Sequence, residues 1–161
     1  MDRLAPIRYH TEVKPEWIDS NQHMNTFCYQ TVFDGASDLL LQTLDYSAAF
    51  RQRSLHTSFV LETHMRYLRE LLLGDQIVAE VRLVGVDDKR FHLLYTLSHV
   101  AQAYVAATCE ALLINVDQAT RRAAPFLPEL RERMERLLRA HQQLAPIPGP
   151  RFVKLAGPGA T

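Results

Sequence analysis

The longest helical pattern in the chain lies between residues 25 and 44. Asn25, at its start, is a residue type that often caps the N-terminus of a helix. Positions beside the main apolar stripe are also apolar or small, so we expect other parts of the protein to cover this helix on more than one side. The stripe itself has apolar residues at spacings of three and four, typical of one helix face: Tyr29, Val32, Phe33, Ala36, Leu40 and Leu44.

Alternation of apolar and polar residues predicts β-strands on both sides of this helix. One short strand, residues 7–13, precedes the helix and ends before Pro15. After a linking stretch at residues 46–57, consecutive strands favour an antiparallel sheet with the long helix on one face, which is an α+β architecture. The four later strands are predicted at residues 59–68, 76–86, 90–99 and 102–116.

The C-terminal part of the chain changes character twice. Residues 128–144 start with Pro128, a residue suited to the first turn of a helix, and their narrow apolar stripe predicts a peripheral, solvated helix. From Ala145 onward, proline and glycine are too frequent for a regular element. We therefore expect a single domain, residues 1–144, followed by a Pro/Gly-rich tail, residues 145–161.

Composition narrows the class of protein. The 161 residues suit one domain, and 18 Lys plus Arg balance 18 Asp plus Glu, so no long-range field attracts nucleic acid or an anionic membrane. Apolar runs fall short of the ~18 residues that cross a bilayer, and the N-terminus lacks the apolar core of a signal peptide. We expect a cytoplasmic protein that binds neither nucleic acid nor membranes.

The two cysteines and seven histidines show no metal-binding motif. Cys28 and Cys109 are far apart in the sequence, and we expect both to be free thiols that act as small apolar residues. The histidines form no His-x-x-x-His pair of the kind that binds metal from one helix. The sequence predicts no metal site and no cofactor.

A polar loop between the first strand and the long helix carries the candidate chemistry. Asp19, His23, Asn21 and Asn25 place a carboxylate, an imidazole and two amides beside a helix start, where unpaired N–H groups and the helix dipole favour negative charge. Such a loop can hold an oxyanion while Asp19 attacks a thioester carbonyl or activates a water molecule. The same residue types also serve loops and helix caps through local hydrogen bonds alone, and the pattern by itself leaves both interpretations open.

The loop resembles a known signature. Residues 13–25, VKPEWIDSNQHMN, followed by Tyr29, are similar to the hotdog-fold thioesterase motif, in which Asp, Asn, Gly, His, Met and Asn precede the central helix. The resemblance implies a hotdog fold, in which an antiparallel sheet wraps around a long central helix, and hydrolysis of a small acyl-CoA thioester. Gln22 departs from the signature glycine, so a backbone conformation with positive φ would be strained there.

Further stretches resemble a narrower group, the betainyl-CoA thioesterases of carnitine breakdown. This resemblance covers roughly residues 8–140 and implies betainyl-CoA as a substrate. Members of the group usually have a glycine in the last hairpin, where residues 99–102 of this chain have none. The matching stretches are LETHMRYL at 61–68, DKRFH at 88–92, ATCE at 107–110 and NVD at 115–117.

The resemblance assigns roles to individual side chains. Asp19 is the expected nucleophile or general base, with a capping or ion-pair role as the alternative. His23 orients Asp19 or donates to the thioester carbonyl, unless it only satisfies loop carbonyls. Asn25 is expected to cap the helix first and to contact ligand second. Glu62 is a second candidate catalytic carboxylate near the partner subunit's loop, and an exposed cross-strand ion pair is its alternative.

Several other residues are predicted to bind the substrate. Thr63 and His64 follow Glu62 and would line the same cleft. A betaine headgroup carries a permanent cation, which aromatic faces bind, although aromatic side chains on helices and strands often belong simply to the core. The candidates for this aromatic cage are Trp17, Tyr29, Phe33 and Tyr67.

The phosphates of CoA require local cations, because the chain has no net charge. Lys89, Arg90, Arg121 and Arg122 are able to meet phosphates, and solvated surface charge is the alternative reading of all four. Hotdog domains pair so that both chains build each site, and a sheet with an exposed edge invites association. We expect a homodimer or a dimer of dimers.

Two other functions fit the same fold. The first is a non-catalytic protein that binds acyl-CoA or a small acid, which Gln22 favours. The second is a hotdog hydratase or dehydratase, which is less favoured because Asp34 and Asp38 on the long helix have no helical histidine beside them.

Overall fold

The computed structural model describes residues 6–147 and 151–152. Within this part of the chain, an antiparallel sheet packs one face against a long helix. The strands are β1 (Ile7–Glu12), β2 (His56–Tyr67), β3 (Gln76–Val86), β4 (Arg90–His99), β5 (Val105–Asp117) and β6 (Arg122–Ala123). The helices are α1 (Thr26–Thr43), α2 (Ala48–Ser54) and α3 (Pro128–Gln142).

The sheet has the strand order β1-β3-β4-β5-β2, and all neighbours are antiparallel. The two-residue strand β6 pairs with the end of β5. β1 and β2 are therefore the edges, and among the described residues β2 has a hydrogen-bonded neighbour on one side only. The chain passes from one edge to the other through α1, so the helix crosses a whole face of the sheet. The predicted antiparallel α+β architecture is confirmed.

Helix α1 forms the core with the face of the sheet that it covers. Val32, Phe33 and Ala36 on its inner side are fully buried, and the Phe33 ring lies 5.1 Å from the Tyr95 ring on β4. β1 approaches the helix closely, because a Cβ atom added at Gly35 would lie 2.8 Å from the Tyr9 ring. The predicted apolar stripe is confirmed.

The expectation that α1 is covered on more than one side holds in part within the single chain, where Leu41 is buried and Gly35 lies against the Tyr9 ring. Phe27 on the first turn is 84% exposed, and Asp34 and Asp38 also face solvent. The part of α1 that carries Phe27, Asp34 and Asp38 is therefore left uncovered by residues 6–147 and 151–152.

Two elements differ from the sequence prediction. The linking stretch contains α2, which Ser47 caps and which Phe50 anchors in the core. β5 begins at Val105 rather than at residue 102, because Ala103 adopts a positive φ of 55° in the turn after β4. A seven-residue helix with one buried apolar side chain has too weak a period to be recognised in the sequence.

Helix α3 is the predicted C-terminal helix, and its apolar stripe packs against β3. Leu130 and Met134 are fully buried. β1 reaches only as far as the pair Ile7↔Val81, and beyond it the Leu83 N–H donates to Nδ1 of His141 at 2.9 Å. The His141 imidazole on α3 thus accepts the β3 hydrogen bond that the backbone of a neighbouring strand would otherwise accept. Residues 148–150 and 153–161 of the predicted tail lie outside the described residues.

Candidate functional site

The loop from Asp19 to His23 folds back on itself as a tight hairpin. An isolated bridge joins Ile18 to Met24, the Asp19 N–H donates to the His23 carbonyl at 3.1 Å, and the Gln22 N–H donates to the Asp19 carbonyl at 3.0 Å. Gln22 has a φ of 65°. The predicted strain at this departure from the signature glycine is confirmed, since a left-handed conformation costs an L-residue about 1 kcal/mol.

The loop is fixed to the rest of the fold through its backbone. The Met24 N–H donates to the Leu71 carbonyl at 2.8 Å, and the Asn25 N–H donates to the Trp17 carbonyl at 2.7 Å. The Met24 side chain is buried in the core. The two residues that follow His23 are thus anchored, and they fix the position of the loop at the start of α1.

The Asp19 carboxylate is partly buried at the mouth of α1. Oδ1 accepts a hydrogen bond from the Asn21 N–H at 2.8 Å, while Oδ2 lies 3.8 Å from Nδ1 of His23. The Asp19 side chain is 21% exposed. One carboxylate oxygen is held by the loop, and the other faces the imidazole and remains accessible to a ligand.

Asn25 caps α1, as the sequence predicts. Its Oδ1 accepts from the Phe27 N–H at 3.0 Å, and its carbonyl accepts from the Cys28 N–H at 3.0 Å. Among residues 6–147 and 151–152, the Thr26 N–H between them has no hydrogen-bond partner. A free backbone donor therefore lies at the positive end of the helix, where it can stabilise a developing oxyanion.

Two of the predicted aromatic residues lie beside this helix start. The Tyr67 ring meets the Tyr29 ring edge to face at 5.1 Å, and the Tyr67 hydroxyl is 3.5 Å from the Thr26 carbonyl. Tyr29 is buried, and burial raises its pKa to about 12. Tyr67 is half exposed and available to a ligand, whereas Tyr29 supports it from below.

The other two cage candidates differ in accessibility. Trp17 is partly exposed, and the Lys14 ammonium lies 5.3 Å above its ring, so this indole face already binds a cation. Phe33 is buried in the core against Tyr95. The expectation that Phe33 belongs to a ligand cage is corrected, because its ring has no accessible face.

The predicted CoA-binding residues lie at the other end of the sheet. The Arg90 guanidinium is held by the Asp87 carboxylate, with Nε 2.7 Å from Oδ2. Arg121 lies over the Phe59 ring, 5.4 Å from its centre, and Lys89 is exposed at the turn before β4. None of these three cations lies near Asp19 of the same chain, because they flank the start of β2 and the loop flanks its end.

A family model described as the thioesterase-like superfamily matches residues 13–134. The chain belongs to the thioesterase-like superfamily. The predicted hotdog fold is confirmed by solved structures. A Staphylococcus aureus protein solved in complex with CoA is 28% identical, with a TM-score of 0.84 and 96% of both chains covered. A Pseudomonas putida structure described as a putative thioesterase is 29% identical, with a TM-score of 0.75, and the match covers 95% of this chain and 99% of that one.

Two named proteins are also similar to most of this chain. A Pseudomonas aeruginosa protein named betainyl-CoA thioesterase is 35% identical over 140 residues, which are 87% of each chain. An Agrobacterium fabrum protein named L-carnitine dehydrogenase/betainyl-CoA thioesterase is 33% identical over 144 residues, which are 89% of this chain and 29% of that one. The narrower resemblance predicted from the sequence agrees with these relatives.

In this member of the superfamily, β2 does not keep Glu62, Thr63 and His64 together. Thr63 points toward α1, where it lines a cavity of about 200 Å³ with Asp34 and Asp38 among its walls. Glu62 and His64 point to the opposite face of the sheet and bond to each other. The expectation that the three residues share one cleft is corrected, because neighbouring residues of a strand face opposite sides of a sheet.

Sequence reasoning missed the surroundings of Glu62 on this outer face. Glu110 on β5 is buried directly opposite His64, and its Oε2 lies 3.6 Å from Nε2 of buried His92. The Phe152 N–H donates to the same oxygen at 3.0 Å, and its ring stacks on His64 at 5.0 Å. Burial lowers the pKa of His92, although the Glu110 carboxylate opposes this shift. The sequence stretches at 88–92 and 107–110 contain His92 and Glu110. Both stretches resemble the betainyl-CoA thioesterases, but the resemblance assigned no role to either residue.

Neither a metal centre nor a membrane span is found in the part of the chain that the structure describes. The His, Cys, Asp and Glu side chains of residues 6–147 and 151–152 form no group of three or more that could hold a metal ion. No helix there is long and apolar enough to cross a bilayer.

Proposed function

We propose that this protein hydrolyses a small acyl-CoA thioester to the free acid and CoA, and that betainyl-CoA is its substrate. One observation supports the proposal: the hairpin that holds the Asp19 carboxylate is joined through the Asn25 N–H and the Trp17 carbonyl to the N-terminus of α1, where the Thr26 N–H is free. A thioester carbonyl between them meets a donor at its oxygen and a carboxylate near its carbon.

Two routes are compatible with this geometry. In the direct route, Asp19 forms a bond to the thioester carbon, the C–S bond breaks, the CoA thiolate leaves, and water then hydrolyses the acyl-aspartyl anhydride. In the base route, Asp19 takes a proton from water, the water oxygen attacks the carbonyl, and the departing thiolate is protonated. In both routes His23 lies beside the second carboxylate oxygen, with its Nδ1 3.8 Å from Oδ2 of Asp19 and 3.4 Å from the Met24 carbonyl oxygen.

A single turnover in heavy-oxygen water distinguishes the two routes. Label that enters the Asp19 carboxylate requires water to attack the aspartyl carbonyl of an anhydride. Base catalysis places all label in the acid product, and quench-flow trapping then separates it from an anhydride that water attacks at the acyl carbonyl, because only the direct route accumulates an acyl-enzyme. Neither route uses a metal or a cofactor, so we expect thiol release to continue undiminished in the presence of a chelator.

The proposal includes a homodimer built through β2. The free edge of this strand carries exposed apolar side chains, among them Val60 and Leu61, and such an edge pairs readily with a second copy. The Tyr67 end of β2 contacts the helix start near Asp19, and the His56 end lies by Arg121 and the cavity behind Thr63. An antiparallel pairing about a two-fold axis brings one chain's loop to the other chain's cavity.

The acyl group proposed here is cationic. The cavity beside α1 is lined by two carboxylates, Asp34 and Asp38, and one guanidinium, Arg51, so its charged groups sum to one negative charge. In the paired arrangement it lies near the partner's loop. Tyr67, which is half exposed, adds an aromatic face that attracts a quaternary ammonium. The relatives named betainyl-CoA thioesterase agree with such a headgroup.

Thiol release from a panel of CoA thioesters tests the proposal. The panel contains betainyl-CoA, short aliphatic acyl-CoAs and one aromatic acyl-CoA. We expect release from betainyl-CoA with the highest kcat/KM. Binding of the thioesters without any thiol release would instead identify a non-catalytic acyl-CoA-binding protein.

A further inference from the structure

A second cavity lies on the outer face of the sheet, the face that α1 does not cover. Its volume is about 500 Å³, within the range of about 300–1,000 Å³ that is usual for small-molecule sites. Residues from all five long strands form its floor, and residues 145–147 of the C-terminal segment form its roof. It is therefore separated from the Asp19 loop by the thickness of the sheet.

The lining of this outer-face cavity is basic. Three guanidinium groups, from Arg8, Arg66 and Arg82, face a single carboxylate, Glu80. Glu80 bonds to two of them, with Oε2 3.3 Å from Nε of Arg8 and Oε1 2.8 Å from Nε of Arg82. Arg66 has no acidic partner among residues 6–147 and 151–152. The walls thus carry two positive charges that are not neutralised, and an anion fits them.

The floor offers hydroxyl donors and apolar surface side by side. The Oγ1 atom of Thr96 is buried without a hydrogen-bond partner among the described residues, and Ser98 and Thr108 lie beside it in the lining. Leu68 and Val105 contribute apolar surface that is partly exposed. A ligand that satisfies both kinds of contact has an anionic group and an organic body.

Two contacts join described residues of the C-terminal segment to the sheet. Arg82 Nη1 donates to the Ala145 carbonyl at 2.6 Å, and farther along the segment the Phe152 N–H and ring contact Glu110 and His64. Residues 145–147, for which the sequence predicts no role, therefore close a cavity.

We propose that the outer-face cavity binds a phosphate monoester attached to a compact organic body. A guanidinium group binds phosphate through two parallel N–H···O hydrogen bonds. Hydroxyl groups can donate to the remaining oxygens of the tetrahedral anion. The phosphate has two candidate sources, the 3′-phosphate of a CoA nucleotide and a free phosphorylated metabolite. The assignment is independent of the hydrolytic site, because it concerns groups on the opposite face of the sheet.

Calorimetric titration of the full-length chain with adenosine 3′,5′-bisphosphate tests the proposal. We expect saturable binding that weakens with rising salt and that falls about 10- to 100-fold in Arg66→Ala, because one charge-assisted contact is lost. Arg139→Ala is the matched control, since Arg139 is an exposed arginine on α3 outside the lining. Circular dichroism confirms that both variants are folded.

Parallel titrations identify the source of the phosphate. Binding of CoA but not of dephospho-CoA or glycerol 3-phosphate indicates the nucleotide, whereas binding of glycerol 3-phosphate indicates a metabolite. Absence of saturable binding, equal affinity in Arg66→Ala, or tighter binding of octanoate than of any phosphate overturns the proposal. Asp19→Asn is expected to bind the bisphosphate as the wild type does. A loss of binding in that variant places the ligand in the thioester site and also overturns the proposal.

Discussion

The Asp19 carboxylate faces the His23 imidazole across 3.8 Å, with its other oxygen bonded to the Asn21 N–H at 2.8 Å. This asymmetry leaves one oxygen for chemistry. Asp19→Asn keeps the shape and the loop hydrogen bond but removes the charge. We expect kcat for thiol release to fall by about 10²- to 10⁴-fold, with little change in the free energy of unfolding.

Asp45→Asn is the control for this substitution. Asp45 is an exposed carboxylate that pairs with Arg133 and Arg53, and asparagine tolerates its positive φ of 54°. Its turnover should match the wild type. Unchanged turnover in Asp19→Asn would mean that another group cleaves the thioester.

Gln22 stores strain that a glycine would release. Its φ of 65° is open to glycine at no steric cost, although glycine also gains freedom in the unfolded chain. We expect Gln22→Gly to raise the free energy of unfolding by about 0.5–1 kcal/mol in urea denaturation. Gln42→Gly, at an exposed position of α1, should lower it. A less stable Gln22→Gly protein would show that the side chain has an unrecognised contact.

His141 makes stability depend on pH. Burial lowers the pKa of His141, so below the ordinary histidine pKa of about 6.5 the unfolded chain binds a proton that the folded chain does not. The free energy of unfolding should therefore fall as pH decreases from about 7.5 to about 5.5. Burial lowers the pKa of His92 as well, and this group contributes in the same direction.

His141→Asn separates the two histidines. The asparagine oxygen can still accept the hydrogen bond from the Leu83 N–H but does not titrate in this range. We expect urea denaturation of this variant to show a smaller loss of stability between the two pH values. An identical pH profile would assign the whole effect to other groups.

A charge on the β2 edge should separate the subunits. Leu61 is 54% exposed on β2, and Leu73, in the connection to β3, is 59% exposed. We expect Leu61→Lys to shift the protein from dimer to monomer in light scattering and to lower thiol release with it, while Leu73→Lys changes neither. A wild-type monomer with full activity would exclude a site shared between two chains.

The charge of the acyl group can be tested without changing its shape. 3,3-Dimethylbutyryl-CoA replaces the quaternary nitrogen of betainyl-CoA by carbon. We expect its kcat/KM to be lower by about tenfold, since a cation over aromatic rings or near carboxylates gains about 1–2 kcal/mol. Tyr67→Leu should reduce this difference. Equal rates on the two thioesters would rule out recognition of the cation.

The sequence predicts those parts of the fold that depend on local pattern. Helix α1 follows from apolar residues at a period of 3.6, and its cap follows from the side chain of Asn25. The strain at Gln22 follows from the position of this residue in the motif, where the thioesterase signature has glycine. The face of the sheet to which each β2 side chain points was harder to predict, because a bulge between Val60 and Glu62 shifts the register with β5. A bulge reverses which side chains face the core, and the neighbours of β2 in the sequence do not indicate it.

Long-range contacts explain the remaining differences. Glu110 meets Phe152 across 42 positions in the sequence, and no local pattern predicts where a proline-rich segment lies. The outer-face cavity has the same origin, because its floor combines residues from five strands between Arg8 and Thr108 and its roof comes from residues 145–147. Its arginines appear in the sequence as ordinary surface charges.

The close approach of Gly35 to the Tyr9 ring determines how far β1 stands from α1. Any larger side chain at position 35 would push this edge strand outward, and the strand leads within a few residues to the Asp19 hairpin. A residue in the middle of a helix thereby fixes the position of a carboxylate beyond the end of that helix. Variation in activity among related chains is to be sought at this glycine as well as among the groups that touch substrate.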